Sequence, residues 1–184
     1  MNYSQIIIPS PIGELIAVAS PTHLMMLEFA DSPWLEGKLS SFAKELSRSD
    51  WGFDSDIKSP LPPFTKGVSE NPIIQKTILE LSEYFAWTRK NFDIPLAPKG
   101  TDFQKSAWQA LEKIPYGETR SYKEEAILAS NSRAVRAIGG ANNKNPIVII
   151  IPCHRVIGAD GSLVGYGWGI KRKIWLIEHE KKIN

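Results

Sequence analysis

The only cysteine of this 184-residue chain, Cys153, stands in the stretch "NPIVIIIPCHRVIGADG" (145–161), between a proline and a histidine and directly after five β-branched residues and that proline. A thiol becomes a strong nucleophile only as its thiolate, which needs a base or a positive potential close by. His154 is the adjacent candidate base. Neighbours in an extended strand point to opposite faces, so the two can cooperate only if Pro152 takes the chain out of the strand. A turn there would let thiol and imidazole meet, directly or through one water. Such a histidine needs an acceptor to orient it. Glu180, three residues after Ile177 and sharing its helical face, is the candidate. Asn145, ahead of Pro146, is suited to brace the loop. The competing reading is a small buried hydrophobe ending a buried strand, a common fate for a lone cysteine. Metal chemistry is disfavoured, because one cysteine and three scattered histidines (His23, His154, His179) match no ligand spacing.

These residues must be positioned by a fold, and the punctuation of the chain outlines one. "SQIIIP", "ELIAVAS" and "LMMLEFA", separated by "SPIG" and "SPTH", read as a three-stranded meander. Ser32-Pro33 has the form of a helix start, with Leu35, Leu39, Phe42 and Leu46 as its stripe, and residues 50–70 read as a loop. Asn71-Pro72 repeats the start signal before Ile74, Ile78, Leu81 and Phe85, and "DIPLAPKG" (93–100) is the best linker. "TDFQ" and "SYKE" both fit capping boxes. The first opens a helix with Phe103, Ala107, Leu111 and Ile114 as its stripe, and the second opens a short helix to about residue 129. "SNS" (130–132) makes a turn, with Ser132 as the expected cap of a further short helix, "AVRAIGGA". Two short helices around a tight turn resemble a helix-turn-helix, although adjacent short helices are common in any α-rich domain. The second is nearly all small residues around Arg136, which suits close approach to a groove by a helix carrying one protruding arginine; a surface ion pair explains it equally well. Asp160-Gly161 reads as a hairpin turn, and 170–181 as a last helix with Ile170, Ile174 and Ile177 inward.

Length allows one large domain or two small ones, and 42% hydrophobic with 23% charged residues is ordinary for a soluble protein. A cytosolic chain is expected, since no signal-peptide pattern or bilayer-length apolar segment is present. The net charge of +2 hides an asymmetry: residues 1–98 carry a balance of −4 and residues 99–184 one of +6. A basic C-terminal half suggests a polyanion partner.

Taken together, "IPCHRV" with "GYGWG" downstream, "NP" upstream and "FQ…W…L…IPYGETRSY" before them resembles the O6-alkylguanine-DNA alkyltransferase family, closest to the Ada-type C-terminal module. The resemblance runs through residues 100–180 in order, and "SPIGELIAVAS…LMMLEF" extends it into the N-terminal half. It implies an α/β N-terminal domain (1–98), ribonuclease H-like with a small antiparallel sheet and helices. A mainly α, winged-helix-like domain with a helix-turn-helix (99–184) would follow. The implied activity is direct-reversal DNA repair, in which Cys153 takes the alkyl group from O6-alkylguanine. His154 would act through a water and Glu180 would orient it. Asn145 would hold the loop. Tyr122 would help rotate the nucleotide out and protonate the leaving guanine. Val156, Tyr166, Gly167 and Trp168 would line the base pocket, and Lys123, Asn131 and Arg136, with Tyr122, would contact DNA. No metal and no cofactor are implied. The partner is double-stranded DNA bearing the lesion, met by a monomer in the cytoplasm, at the nucleoid and not at a membrane. O4-methylthymine repair and cooperative binding along DNA stay open.

The chain departs from the family pattern in three places. Glu125 replaces the usual apolar residue, Ser130-Asn131-Ser132 replaces a Gly-x-Pro turn, and Trp168 stands where glycine is frequent. Two rival readings are a protein that flags alkylated DNA without repairing it and a cysteine hydrolase using a distant histidine. The flagging relatives lack the cysteine, and the adjacent His154 makes the hydrolase less economical.

Overall fold

The computed structural model describes residues 3–40 and 69–182. The chain divides into two compact units, Met1–Ser82 with Ile94–Ala97, and Glu83–Asp93 with Pro98–Asn184. The segment 83–93 therefore belongs with the second half, although it precedes the expected linker.

The first unit is built on the meander. Strands β1 (Ser4–Ile8), β2 (Leu15–Ala19) and β3 (Leu24–Phe29) form an antiparallel sheet in that order, with Ile6 opposite Ala17 and Ile16 opposite Glu28. Every residue of β2 is buried, so both faces of the central strand are covered. Residues 94–97 lie beside the sheet, where Leu24 donates to Pro95 O and Ala97 donates to Leu24 O. Helix α1 is described over 35–40, two residues later than Ser32-Pro33 suggests, because Ser32 caps a tight turn to Trp34 and Leu35 instead. Phe42, Leu46 and the loop expected from 50 lie outside the described residues, which resume at 69. Helix α2 (Pro72–Phe85) starts as its sequence predicts: Asn71 Oδ1 accepts from Ile73 N and Ile74 N. Its buried stripe is Ile74, Thr77, Leu81 and Tyr84, so Tyr84 takes the inward place expected of Phe85.

The second unit holds the remaining elements: α3 (Asp102–Glu112), β4 (Arg120–Ser121), α4 (Tyr122–Leu128), α5 (Val135–Asn142), the 3-10 turn η1 (Cys153–Arg155), β5 (Val156–Ile157) and α6 (Ile170–Lys181). Both capping boxes form, Thr101 with Gln104 and Ser121 with Glu124. Helix α4 closes in a Schellman arrangement, with Asn131 N donating to Ala126 O and Ser130 N to Ile127 O. Ser130 holds the left-handed position (φ 57°) that glycine would occupy without strain. Ser132 is not the cap of α5. That place falls to Ala134, whose side chain can make no capping bond. Ala107, Ala126, Ile138 and Ala141 form the core of the three helices α3, α4 and α5.

Two further expectations are corrected. The β-branched run before Cys153 forms no strand. Ile150 N donates to Val148 O around Ile149 (φ 72°), and Cys153 N donates to Ile151 O around Pro152, so two three-residue turns coil the chain on itself. Local turn bonds take the place of ladder bonds there. Asp160-Gly161 forms a turn, closed by Gly158 N to Ser162 O, but no hairpin. The glycines at 165 and 169 take positive φ and interrupt the returning strand, and β5 pairs in parallel with β4. Among the described residues, no helix is long and apolar enough to cross a membrane.

Candidate active site

The two tight turns deliver Cys153 into η1, where three residues per turn fan successive side chains about one axis. Cys153, His154 and Arg155 thus reach different neighbours, and all three are buried. The thiol faces Asn145, whose Nδ2 donates to Cys153 Sγ (3.2 Å) and to Ile151 O (2.8 Å). Asn145 Oδ1 accepts from Ile147 N (2.9 Å), so one fully buried amide ties both ends of the coiled segment. Ile149, a β-branched residue at positive φ, adds roughly 1–3 kcal/mol of local strain that these bonds must offset.

His154 Nε2 lies 2.9 Å from Glu180 Oε1. Burial alone would raise the Glu180 carboxyl, but His154 and Arg155 outweigh it and hold it well below the usual carboxylate range. An ionised Glu180 can only accept, so Nε2 carries the proton and Nδ1 the lone pair. Burial is also the main reason that His154 stays neutral, its pKa lying below that of a free imidazole. His154 Nδ1 is buried and has no partner among the described residues. The imidazole is therefore held in the tautomer that can receive a proton.

Three partners of this site escaped the sequence reading. Arg155 donates through Nε to Glu180 Oε2 (2.8 Å), through Nη2 to Oε1 (2.9 Å) and through Nη1 to Ile114 O (2.6 Å). Tyr84 Oη donates to Glu180 Oε1 (2.9 Å), and burial foremost, then the Glu180 charge, raises its pKa well above the ordinary value. Lys173, fully buried, donates through Nζ to Val156 O (2.6 Å) and Val164 O (2.9 Å). Burial lowers its pKa and attraction to Cys153 partly opposes this. The helical spacing held a signal: Lys173, Leu176, Ile177 and Glu180 recur at i, i+3, i+4 and i+7, a face that shares only Ile177 with the expected Ile170, Ile174 and Ile177 stripe. Ile170 is exposed. For Tyr84 the signal was a hydroxyl inside an apolar stripe, which needs a buried acceptor.

The pocket residues named from the resemblance lie around this core. Val156 is buried in β5, and its register with Arg120 ties the cysteine turn to the strand that leads into α4. Tyr122, first residue of α4, donates through Oη to Gly165 O (3.3 Å). Its ring packs on Gly139, where an added Cβ would sit 3.6 Å away. Burial, then the charges of Glu125 and Cys153, raises its pKa. Tyr166 and Gly167 are half-buried. Trp168 is buried, with its ring centroid 5.0 Å from that of Tyr166. Lys123, Asn131 and Arg136 are exposed, and the Arg136 guanidinium has no ion-pair partner among the described residues. No group of three or more potential metal ligands occurs among the described residues.

A helix-turn-helix beside a thiol, an oriented neutral imidazole and a buried carboxylate is the arrangement of a DNA-binding unit that carries a nucleophile. Comparison with known proteins makes the class specific. Residues 102–182 match the model described as 6-O-methylguanine DNA methyltransferase, DNA binding domain, and residues 3–98 match that of the same enzyme's ribonuclease-like domain. A Methanosarcina barkeri protein named methylated-DNA--protein-cysteine methyltransferase is 42% identical over 176 residues, covering 95% of each chain. The crystal structure of Mycobacterium tuberculosis O6-methylguanine methyltransferase superposes with a TM-score of 0.75 at 39% identity, covering 99% of this chain and 94% of that one. A structure of the Mycobacterium tuberculosis protein in complex with DNA gives 0.74 at 39% identity, over 98% and 93%. The chain belongs to the 6-O-methylguanine DNA methyltransferase family.

Proposed function

We infer that this protein repairs DNA by direct reversal, moving an alkyl group from O6-alkylguanine to Cys153. The observation that carries the reading is the join between Cys153 and its base. The thiol sits on an amide-braced turn, next to a neutral His154 whose Nε2–H is held by ionised Glu180 and whose Nδ1 lacks a protein partner. One water on Nδ1 would relay the thiol proton to the imidazole. The thiolate then attacks the alkyl carbon in line. The S–C bond forms, the C–O6 bond breaks with its electron pair going to guanine, and Tyr122 Oη supplies the proton that the leaving base requires. Ionised Glu180 stabilises the imidazolium. The thioether product holds no good leaving group, so each molecule turns over once.

The substrate must reach a buried thiol, which a base can do only when extruded from the duplex, at a cost of a few kcal/mol. Arg136 on the small-residue helix α5 would fill the gap left behind, with Lys123 and Asn131 on the flanking backbone. Val156, Tyr166, Gly167 and Trp168 would receive the base, and the buried Trp168 narrows the pocket in favour of methyl over benzyl adducts. The protein acts as a monomer on alkylated DNA in the cytoplasm. The presence of Cys153 disfavours the reading as a lesion flag. A quench-flow assay on a duplex with one O6-methylguanine tests the reaction: restored guanine should plateau at one equivalent per protein. Continued turnover, or binding without restoration, would refute it. Equal single-turnover rates for methyl and benzyl lesions would refute the role given to Trp168.

A further inference from the structure

Glu125, one of the three departures from the family pattern, is completely buried on α4. Its Oε2 accepts from Asn142 Nδ2 on α5 at 2.7 Å. The other carboxyl oxygen, Glu125 Oε1, and the other amide atom, Asn142 Oδ1, are both buried and both without a partner among the described residues. Two acceptors orphaned on the same pair of groups is an expensive arrangement, since each forfeits its hydration without a bond in return. A single proton removes both defects. A neutral carboxylic acid donates through one oxygen and accepts through the other, which is the complement of a primary amide.

We propose that Glu125 is protonated at neutral pH and closes a two-bond ring with Asn142, and that this ring holds α5, with Arg136, against α4. Glu125 is thus a positioning residue for DNA engagement. The proposal rests on the DNA-repair reading above for its consequence, though not for the proton itself.

The surroundings agree. Burial raises the carboxyl to about 8, with the Asn142 bond opposing it in part. The titratable groups of neighbouring elements offer no compensating charge. Asp102, Lys105 and Glu112 of α3 and its C-cap Lys113 are exposed, as is Arg136 on α5, and Arg120 of β4 pairs with Glu118. Strand β5 has no charged side chain. On α4 itself, Lys123 and Glu124 are exposed, and burial foremost, then the Glu125 charge, raises the pKa of Tyr122. The ring also explains how an acidic residue is tolerated between helices whose shared core is otherwise alanine and isoleucine.

A carboxyl raised from 4.5 to about 8 binds its proton more tightly in the folded state, so its contribution is complete below 4.5 and is lost as pH rises through 8. The proton is read directly by carbon-13 NMR of glutamate-labelled protein, with Glu125→Gln assigning the signal. The signal should be that of a carboxylic acid at neutral pH and should titrate near 8; a carboxylate at neutral pH overturns the proposal. Fluorescence anisotropy on an undamaged duplex reads the consequence. The wild-type protein should bind at least about threefold more weakly at about pH 9 than at neutral pH, beyond any change in Glu125→Gln, whose amide keeps both ring bonds at every pH. Equal pH dependence in the two proteins overturns the positioning role. Failure of the wild-type protein to bind DNA at neutral pH would refute the repair reading and leave the NMR titration to decide the proton.

Discussion

Glu180 accepts from Tyr84, Gly117, His154 and twice from Arg155, which makes it the most heavily shared side chain of the site. Replacing it with Gln removes the charge that balances Arg155 in a buried place, at a cost of roughly 3–5 kcal/mol. Urea denaturation of Glu180→Gln should show that loss, and alkyl transfer should slow with it because His154 loses its orienting charge. Tyr84→Phe deletes one donor of five and should cost only about 1–2 kcal/mol in the same assay. The pH response carries a definite sign. The depressed Glu180 pKa contributes stability above its unfolded value of 4.5 that is lost as pH falls below it. His154, held neutral, opposes folding as the unfolded imidazole protonates below 6.5. In the Glu125→Gln background, which removes the opposing titration of that carboxyl, melting temperature should fall on acidification in two stages, beginning near 6.5 and steepening below 4.5, and the first stage should shrink when His154→Gln is added.

Elements supply the positions, and here local sequence rules carried unequally far. Ser121→Ala removes the cap of the helix that begins with Tyr122, at about 1 kcal/mol, and should weaken DNA binding. Thr101→Ala removes the equivalent cap of α3 at similar cost and should leave DNA affinity unchanged. Ser130→Gly should add about 1 kcal/mol in urea denaturation by relieving the left-handed serine of the turn. The meander and both capping boxes were legible because strand alternation and cap bonds are decided within a few residues. The run Ile147–Ile151 was not. Its β-branched composition favours a strand, and only the side-chain bonds of Asn145 across the segment and the Pro152 turn make coiling the better solution. Ser132 misled for a related reason: a serine near a helix start caps only if the chain arrives at the right residue, and α5 begins three later.

At the scale of the molecule, the basic second half and the run of family motifs point to DNA in the sequence itself. Cys153, His154, Glu180 and Asn145 were legible as a set because they are chemically distinctive. Tyr84, Arg155 and Lys173 were not, because a tyrosine, an arginine and a lysine read as ordinary until a buried acceptor is placed opposite each. Affinity for undamaged duplex should fall steeply with added salt if Lys and Arg side chains of the second unit neutralise phosphates, a slope measurable by anisotropy titration.

In the proposed reaction Cys153 itself receives the alkyl group. Incubation with a duplex containing O6-methylguanine, followed by peptide mass spectrometry, follows that transfer. One methyl group on the peptide containing Cys153, in amounts equal to the guanine restored, is the predicted result. Restored guanine with an unmodified Cys153 peptide would contradict it.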